Sequence, residues 1–165
     1  MAAFDLIEEQ ILGSNATAVS FYSIPNDYAH LKVEITVEAT SSDEPVRMQF
    51  NNDTNSRYSY LRYYSYNGNS SNGIEKGDDV AFISIGDALS TSYVGSVEVW
   101  IPDYANTSKW TTTISKIANR RWWSHGVGAW KQPSMNAVDA IKLYTPVSNN
   151  FQSGGQFKLW GYKDS

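Results

Sequence analysis

Regular alternation between apolar and polar residues limits the folds open to this chain more than any other feature. Between residues 31 and 38 every second side chain is apolar: Leu31, Val33, Ile35 and Val37. Residues 93–101 repeat the pattern, and residues 46–50 carry a shorter version. A period of two puts alternate side chains on opposite faces of a β-strand. Each run therefore predicts a strand with one buried face and one face in water.

Two short phrases of similar sequence follow strand-like runs. One is Ile24-Pro25-Asn26-Asp27-Tyr28, and the other is Ile101-Pro102-Asp103-Tyr104. Proline lacks an amide hydrogen and has a fixed φ, so it ends a β-ladder, and the Asp that follows can hydrogen-bond its own backbone into a turn. We interpret Asp27 and Asp103 as turn formers at matching corners. The phrases lie about half a chain apart, which favours two Greek keys.

Strand-like runs continue along the whole chain. Residues 5–12 also fit a helical period, but a strand is the preferred interpretation there. Elsewhere β-branched and aromatic residues dominate the periodic runs, which disfavours helices. Breaks rich in Asn, Asp, Ser and Gly separate the runs, one of them at residues 67–79. The remaining predicted strands are residues 4–12, 17–23, 57–66, 80–85, 109–118, 122–130, 137–145 and 156–163.

Many short strands with turns between them favour an all-β fold. Roughly ten or eleven strands predict a single-domain antiparallel β-sandwich, jelly-roll-like, with two Greek keys. No linker or shift in composition divides the chain, so residues 1–165 are predicted to form one β-sandwich domain. A chain of this size buries roughly 70% of its unfolded surface. Residues 1–13 are interpreted as an arm or an edge strand.

Charge and cysteine content exclude several classes of protein. The net charge is -4, and acids and bases are scattered in ones and twos, so no basic block is present to bind a nucleic-acid backbone. The chain has no cysteine, which excludes disulfides and thiolate metal sites. No apolar stretch approaches the roughly 20 residues that span a bilayer, and no secretory signal follows Met1. We therefore expect synthesis in a cytoplasm and neither nucleic acid nor membrane as a partner.

Metal-binding and catalytic groups are sparse. His30 and His125 have no near neighbour suited to share a metal ion, so we interpret both as ordinary histidines. Runs of Asn and Asp at residues 51–55 and 78–79 could offer oxygen ligands to calcium, but they lack the spacing of a calcium loop, and the same residues form turns. No motif selects a catalytic pair among the carboxylates that could share a groove, which are Glu34, Glu98, Asp103 and Asp139. The sequence predicts no enzyme, no cofactor and no metal site.

Aromatic residues supply the informative surfaces. They make up 14% of the chain, and residues 57–66 place rings on both faces of one strand, more than one core needs. Residues 120–125 and Trp130 form a second cluster beside cationic side chains. These rings could belong to the core, to a protein contact or to a sugar-stacking site, since Trp, Tyr and Arg are enriched at interfaces. The candidate interface residues are Phe4, Leu6, Tyr60, Tyr63, Tyr64, Arg120, Arg121, Trp122, Trp123 and Trp130.

Five phrases of the chain form a recognisable series. They are residues 4–9 (FDLIEE), 19–25 (VSFYSIP), 28–31 (YAHL), 95–104 (GSVEVWIPDY) and 150–162 (NFQSGGQFKLWGY). The series resembles a group of small virion proteins of tailed bacteriophages, in which similar phrases occur in the same order. The resemblance covers most of the chain, and its motifs are structural phrases without catalytic content.

The resemblance implies a capsid decoration protein, also called a cement protein, with a β-sandwich fold. It implies a homotrimer on the outer capsid surface of the virion, bound to the major capsid protein and assembled in the cytoplasm of the bacterial host. The aromatic and N-terminal segments would make these contacts. Related phrases also occur in tail and fibre proteins, so the alternative is a receptor-binding module that recognises host surface carbohydrate. The lack of coiled-coil heptads, collagen-like repeats and a second domain favours decoration.

Overall fold

Two antiparallel β-sheets packed face to face make up the fold. The structure, a computed structural model, describes residues 3–41, 44–66, 71–132, 134–146 and 149–163, and within these ranges it has twelve strands and no helix. This confirms the all-β sandwich that the sequence predicts. The strands are β1 (Ala3–Ile11), β2 (Ala18–Phe21), β3 (His30–Val37), β4 (Glu44–Phe50), β5 (Tyr58–Tyr66), β6 (Ser71–Val80), β7 (Ile83–Leu89), β8 (Gly95–Pro102), β9 (Thr111–Ala118), β10 (Trp122–Trp130), β11 (Ile141–Tyr144) and β12 (Gln156–Lys163).

The strand order is that of a jelly roll with added strands. The larger sheet has the order β1-β12-β3-β8-β9-β10-β5-β6, and the smaller sheet has the order β2-β11-β4-β7. Eight strands form nested pairs: β2 with β11, β3 with β8, β4 with β7, and β5 with β6. Such nesting, divided alternately between two sheets, is the connectivity of two Greek keys rolled into one sandwich. The hairpin β9–β10 is inserted between β8 and β5, and β12 and β1 extend the opposite edge.

The alternating runs of the sequence form the centre of the larger sheet. β3 buries Leu31, Val33, Ile35 and Val37, and β8 beside it buries every second residue from Gly95 to Ile101. Residues 5–12, for which a helix was the other interpretation, lie mostly in β1, which forms the edge of the sheet next to β12. The strand interpretation is therefore confirmed there. As an edge strand, β1 has one neighbouring strand, β12.

One predicted break is a strand. The Asn, Gly, Ser and Asp content of residues 67–79 predicts a loop, but Ser71–Val80 form β6, and residues 67–70 lie outside the described residues. The prediction is wrong because β6 is stabilised by its neighbour β5. The rings of Tyr64 and Tyr60 lie against Gly73 and Gly77, which are directly opposite them. Rings that cover the glycines of an edge strand supply packing that glycine itself lacks.

The two Ile-Pro phrases meet at one end of the larger sheet. His30, the first residue of β3, is directly opposite Pro102, the last residue of β8. The backbone amide of Asp103 donates a hydrogen bond of 3.0 Å to Nδ1 of His30, and the Tyr104 hydroxyl donates to the carbonyl oxygen of Pro25. Asp103 has a φ of 52° and accepts hydrogen bonds from the side chains of Asn106 and Lys109. This local geometry is that of a turn former, as the sequence predicts.

Trp130 is the centre of an aromatic cluster between the two sheets. Its ring stacks on Tyr58, with ring centres 6.2 Å apart, and packs at 5.6 Å from Phe50. Its indole nitrogen donates to the Asp53 carboxylate at 2.8 Å, and the Tyr58 hydroxyl donates to the Asp53 backbone carbonyl. Burial alone would raise the pKa of Asp53, but hydrogen bonds from Trp130 and Asn55 hold that pKa below its usual value. The loop from residue 51 to residue 55 is therefore tied to the core.

A partly buried ion pair joins β5 to β6. The Arg62 guanidinium is buried and pairs with the carboxylate of Glu75, which also accepts a hydrogen bond of 2.8 Å from the Tyr60 hydroxyl. Burial raises the pKa of Tyr60 to about 12, and Glu75 adds to that rise, so this hydroxyl remains a donor. Burial alone would raise the pKa of Glu75, but the bonds from Arg62 and Tyr60 lower it below 4.5.

Glu75→Gln should change how stability depends on pH. Because the pKa of Glu75 is lower in the folded state than in the unfolded state, its contribution is fully present above about pH 4.5 and is lost as the pH falls below that value. The variant should therefore be less stable than the wild type at pH 7 but lose less free energy of unfolding below pH 4.5. Urea unfolding at several pH values measures this. Equal slopes for the two proteins below pH 4.5 would contradict it.

Candidate adhesive surface

The larger sheet has one face that the smaller sheet does not cover. In β9 the residues alternate between buried and exposed from Thr111 to Ala118, and in β10 the same alternation runs from Trp123 to Gly128. Strand β7 of the smaller sheet packs against the buried phase, and an added Cβ at Gly128 would overlap the Ile83 side chain. We call the opposite, solvent-facing side of the larger sheet the outer face.

An aromatic cluster lies at one end of the outer face, across β1, β12, β3 and β8. Tyr162 is central: its ring lies 5.3 Å from that of Phe4, 5.6 Å from that of His30 and 5.9 Å from that of Trp100. The His30 and Tyr162 rings are stacked at 13°. Phe4 and its neighbour on the same face, Leu6, are about half exposed. We call the cluster of Phe4, His30, Trp100 and Tyr162 the aromatic corner.

Charged side chains beside the aromatic corner neutralise one another. Lys32 lies between Glu34 and Glu98, at 2.8 and 3.1 Å, and the indole nitrogen of Trp160 donates to Glu34 at 2.8 Å. The hydrogen bond from Lys32 is the main cause that lowers the pKa of Glu34 below its usual value. A general acid near neutral pH would need a raised pKa instead. Glu34 and Glu98 are thus partners of one lysine, and the lowered pKa of Glu34 does not suit that residue to act as a general acid.

An apolar patch covers the other half of the outer face, on strands β9, β10, β5 and β6. Val127 is directly opposite Ile114 on one side and Leu61 on the other, and Tyr63 is opposite Ile74. Directly opposite side chains in antiparallel strands have Cβ atoms roughly 5 Å apart, so these residues form a continuous surface. The apolar patch consists of Leu61, Tyr63, Ile74, Ile114, Trp123 and Val127, all more than a third exposed.

Two depressions adjoin the apolar patch. The larger one, of about 850 Å³, has small residues at its centre, including Ser59, Thr112 and Ala129. The smaller one, of about 420 Å³, lies between Tyr63 and Trp123 at the other end of the same strands. Both are open and shallow surfaces on the sheet, so they suit contact with a protein surface or with a flat ligand.

The candidate residues from the sequence divide between the outer face, the core and the turn before β10. Phe4, Leu6, Tyr63 and Trp123 lie exposed on the outer face, and Tyr60, Tyr64 and Trp122 are half-buried on the opposite side of their strands. Arg120 and Arg121 are exposed in the turn between β9 and β10, beside the Tyr93 ring. Trp130 is a correction: it is a core residue, so its assignment to an interface is wrong. The structure therefore brings four of the candidates to one face.

Several residues of the outer face are not among the candidates predicted from the sequence. Leu61, Ile74, Ile114 and Val127 join the apolar patch, and Trp100 and Tyr162 join the aromatic corner. Their one sequence signal is that apolar side chains occupy the polar phase of an alternating strand, as Ile114 does in β9. A strand with apolar residues on both faces is therefore one whose second face is also buried or is available for contact.

Within the described ranges, no group of three or more His, Cys, Asp or Glu side chains is arranged to hold a metal ion. The same residues include no helix that is long and apolar enough to cross a membrane.

Comparisons with known proteins give no family for this chain. No protein-family model and no curated protein matches the sequence. Among solved structures, the chain has a low-scoring match to part of a xylan β-1,4-xylosidase from Bacillus halodurans C-125, with a TM-score of 0.31 and 9% identity over 82% of this chain. A fructofuranosidase from Schwanniomyces occidentalis matches with a TM-score of 0.30 and 7% identity over 98% of this chain. The chain spans 28% and 34% of those two structures, and at these scores the likeness carries no argument about function.

Proposed function

We propose that this protein is a structural component of a tailed-bacteriophage virion that decorates the outer capsid surface and stabilises the head as a cement protein. The observation that carries the proposal is where the phage-like phrases lie. Four of the five phrases lie in or run into β1, β3, β8 and β12, which are neighbours in the larger sheet. The fifth, residues 19–25, includes most of β2 in the smaller sheet and the Ile-Pro turn. Four phrases that are scattered along the sequence thus meet in adjacent strands of one sheet.

The aromatic corner is the proposed contact with the major capsid protein. Each of those four strands contributes one ring to it: Phe4, His30, Trp100 and Tyr162. Aromatic residues with an apolar body supply large contact areas at protein interfaces. A cement protein binds a lattice in many copies, so modest contacts at each site add up through avidity. The proposal requires a rigid sandwich and an adhesive face, and it includes no catalytic step.

Electron microscopy of virions labelled with gold-conjugated antibody against this protein tests the location. Label on the heads, in many copies per particle, is the expected result. Label confined to tails or fibres would overturn the decoration proposal and favour the carbohydrate-binding alternative.

Leu6→Ser should weaken binding to expanded heads of the phage that carries this protein. Leu6 lies on the same face as the aromatic corner and is 47% exposed, so its replacement removes apolar contact without disturbing the core. Ile11→Ser is the matched control, since Ile11 lies at the other end of β1 and is 63% exposed. We expect at least a tenfold weaker affinity for Leu6→Ser in a sedimentation assay and wild-type binding for Ile11→Ser. Equal binding by the two variants would exclude this corner as the contact.

Carbohydrate recognition is a second candidate because one depression has the chemistry for it. Tyr63 and Trp123 line the 420 Å³ depression, and the exposed Asn72 supplies a polar side chain beside them. Exposed aromatic rings beside hydrogen-bonding side chains are suited to stack on sugars. A glycan array with labelled protein decides: binding that Trp123→Ala abolishes would support a receptor-binding module, and no binding to host polysaccharide would exclude it.

A further inference from the structure

The apolar patch has the size of the dry centre of a protein interface. Its six side chains leave on the order of 500 Å² of apolar surface in water, which lies at the upper end of what a monomer exposes. A standard interface buries about 800 Å² on each partner, of which roughly two thirds is apolar when the partners are identical chains. The patch with a polar rim around it therefore matches one side of such an interface.

The patch has a relief that is complementary to itself. Its central row is Ile114, Val127 and Leu61, directly opposite one another on β9, β10 and β5. On one side of this row, two positions along the same strands, stand the large side chains His125 and Tyr63. On the other side, also two positions away, are three smaller side chains. They are Ala129 on β10, Ser59 on β5 and Thr112 on β9, which form the floor of the 850 Å³ depression.

We propose that two copies of this chain pack face to face through the apolar patch, with a twofold axis along the central row. Rotation by 180° about that axis places each strand opposite the same strand of the second copy. It also brings residues on one side of the central row opposite residues from the other side. His125 of one copy then faces Ala129 of the other, and Tyr63 faces Ser59. Large side chains of each copy enter the depression of its partner, which is the self-complementarity that an isologous interface requires.

In this arrangement the charged side chains of these strands either face uncharged side chains or lie at the rim of the patch. The exchange sets Lys116 opposite Thr112, while Lys76, directly opposite Leu61 on β6, faces its own copy at the outer end of the central row. Lys76 and Asp78 lie on the edge strand β6 at the rim, where their charged groups reach water. Interfaces between identical chains are more apolar and poorer in charge than contacts with other partners. A second copy would also cover the patch from the moment of folding, before any other partner is present.

The pairing and the proposed capsid contact use different residues of the same outer face. The aromatic corner lies on β1, β12, β3 and β8, whereas the patch lies on β9, β10, β5 and β6, and the two regions adjoin where Trp100 is opposite Ile114. A head-binding assay reports on the first region, and the mass of the free protein reports on the second. The homotrimer that the phage resemblance predicts would need a contact other than this twofold one.

Val127→Lys tests the proposal, because it sets two ammonium groups against each other on the axis. Val94→Lys is the matched control: Val94 lies outside the patch and is 51% exposed, against 53% for Val127. Light scattering after size exclusion should give twice the 18.5 kDa of one chain for the wild type and for Val94→Lys at micromolar concentration. Val127→Lys should be monomeric, with a dissociation constant raised at least tenfold and an unchanged circular dichroism spectrum. A monomeric or trimeric wild type, or a Val127→Lys protein that behaves as Val94→Lys does, would overturn the proposal.

Cross-linking tests the orientation, and the lack of cysteine in the chain makes single thiols specific probes. With a short bis-maleimide, Val127→Cys should cross-link to a dimer and Val94→Cys should not. A mixture of Tyr63→Cys and Ser59→Cys proteins should cross-link faster than either protein alone, because the twofold axis sets Tyr63 of one copy against Ser59 of the other. Equal rates in the mixture and in the separate proteins would contradict this axis.

Discussion

Trp130→Ala should lower the free energy of unfolding by about 3–5 kcal/mol, the usual cost of truncating a buried Trp. Trp130 is 3% exposed and packs against Tyr58 and Phe50, so its loss leaves a cavity between the sheets. The loss also takes the indole donor away from the Asp53 carboxylate, which would then be buried with one fewer partner. Urea unfolding followed by circular dichroism measures the change, since the remaining Trp residues complicate fluorescence.

Trp110→Ala is the matched control for that experiment. Trp110 precedes β9 and is 52% exposed, so its removal should change the free energy of unfolding by about 0.5 kcal/mol or less. Similar losses for the two variants would mean that Trp130 is not a core residue, and its place as an interface residue would have to be restored. The comparison thus separates a packing role from a surface role for the same residue type.

Gly86→Ala should be the most damaging replacement of a glycine that the fold offers, at roughly 3 kcal/mol. Gly86 has a φ of 152°, which side chains with a Cβ rarely adopt, and it lies in β7 between two shifts of register against β4. An added Cβ would also overlap the side chains of Ile117 and Ser124 in the facing sheet. Backbone strain and a steric clash therefore act together, and separating the two sheets would relieve the clash but not the strain.

Gly13→Ala gives the corresponding control. No atom lies within 4 Å of a Cβ added at Gly13, and the residue is exposed after β1. The replacement should be neutral or stabilise the protein by up to about 1 kcal/mol, because alanine restricts the unfolded chain. Thermal unfolding of both variants at one protein concentration checks the pair. A Gly86→Ala protein as stable as Gly13→Ala would show that β7 can shift away from β9 and β10 at little cost.

Local patterns predict the strands well where one side of the strand is apolar and the other polar. β3 and β8 are such strands, and they were identified from alternation alone. β6 fails the same test, because its glycines and charged residues give no apolar phase, and its pairing depends on the rings of Tyr60 and Tyr64 from β5. A strand held by its neighbour's side chains cannot be found from its own residues.

The surface was predicted less completely than the fold, and β10 shows why. The alternation along β10 predicts that Trp122 and Trp130 lie on one face of the strand and Trp123 lies on the other. Both faces carry Trp, so the pattern does not say which face meets the smaller sheet. The approach of β7 decides: it covers the face of Gly128 and Trp130 and leaves Trp123 with Val127 in water. The apolar patch follows from that choice, together with residues from three other strands.

The sequence by itself determined that this chain is an antiparallel β-sandwich and where most strands begin and end, because alternation and turn residues act over a few neighbouring positions. It also supplied the phrases that resemble phage virion proteins. Only the tertiary structure decided which aromatic residues are core and which are exposed, and that the large and small side chains of the outer face are arranged about one row. Those properties depend on pairing between strands distant in sequence, and on which face of each strand the second sheet takes out of water.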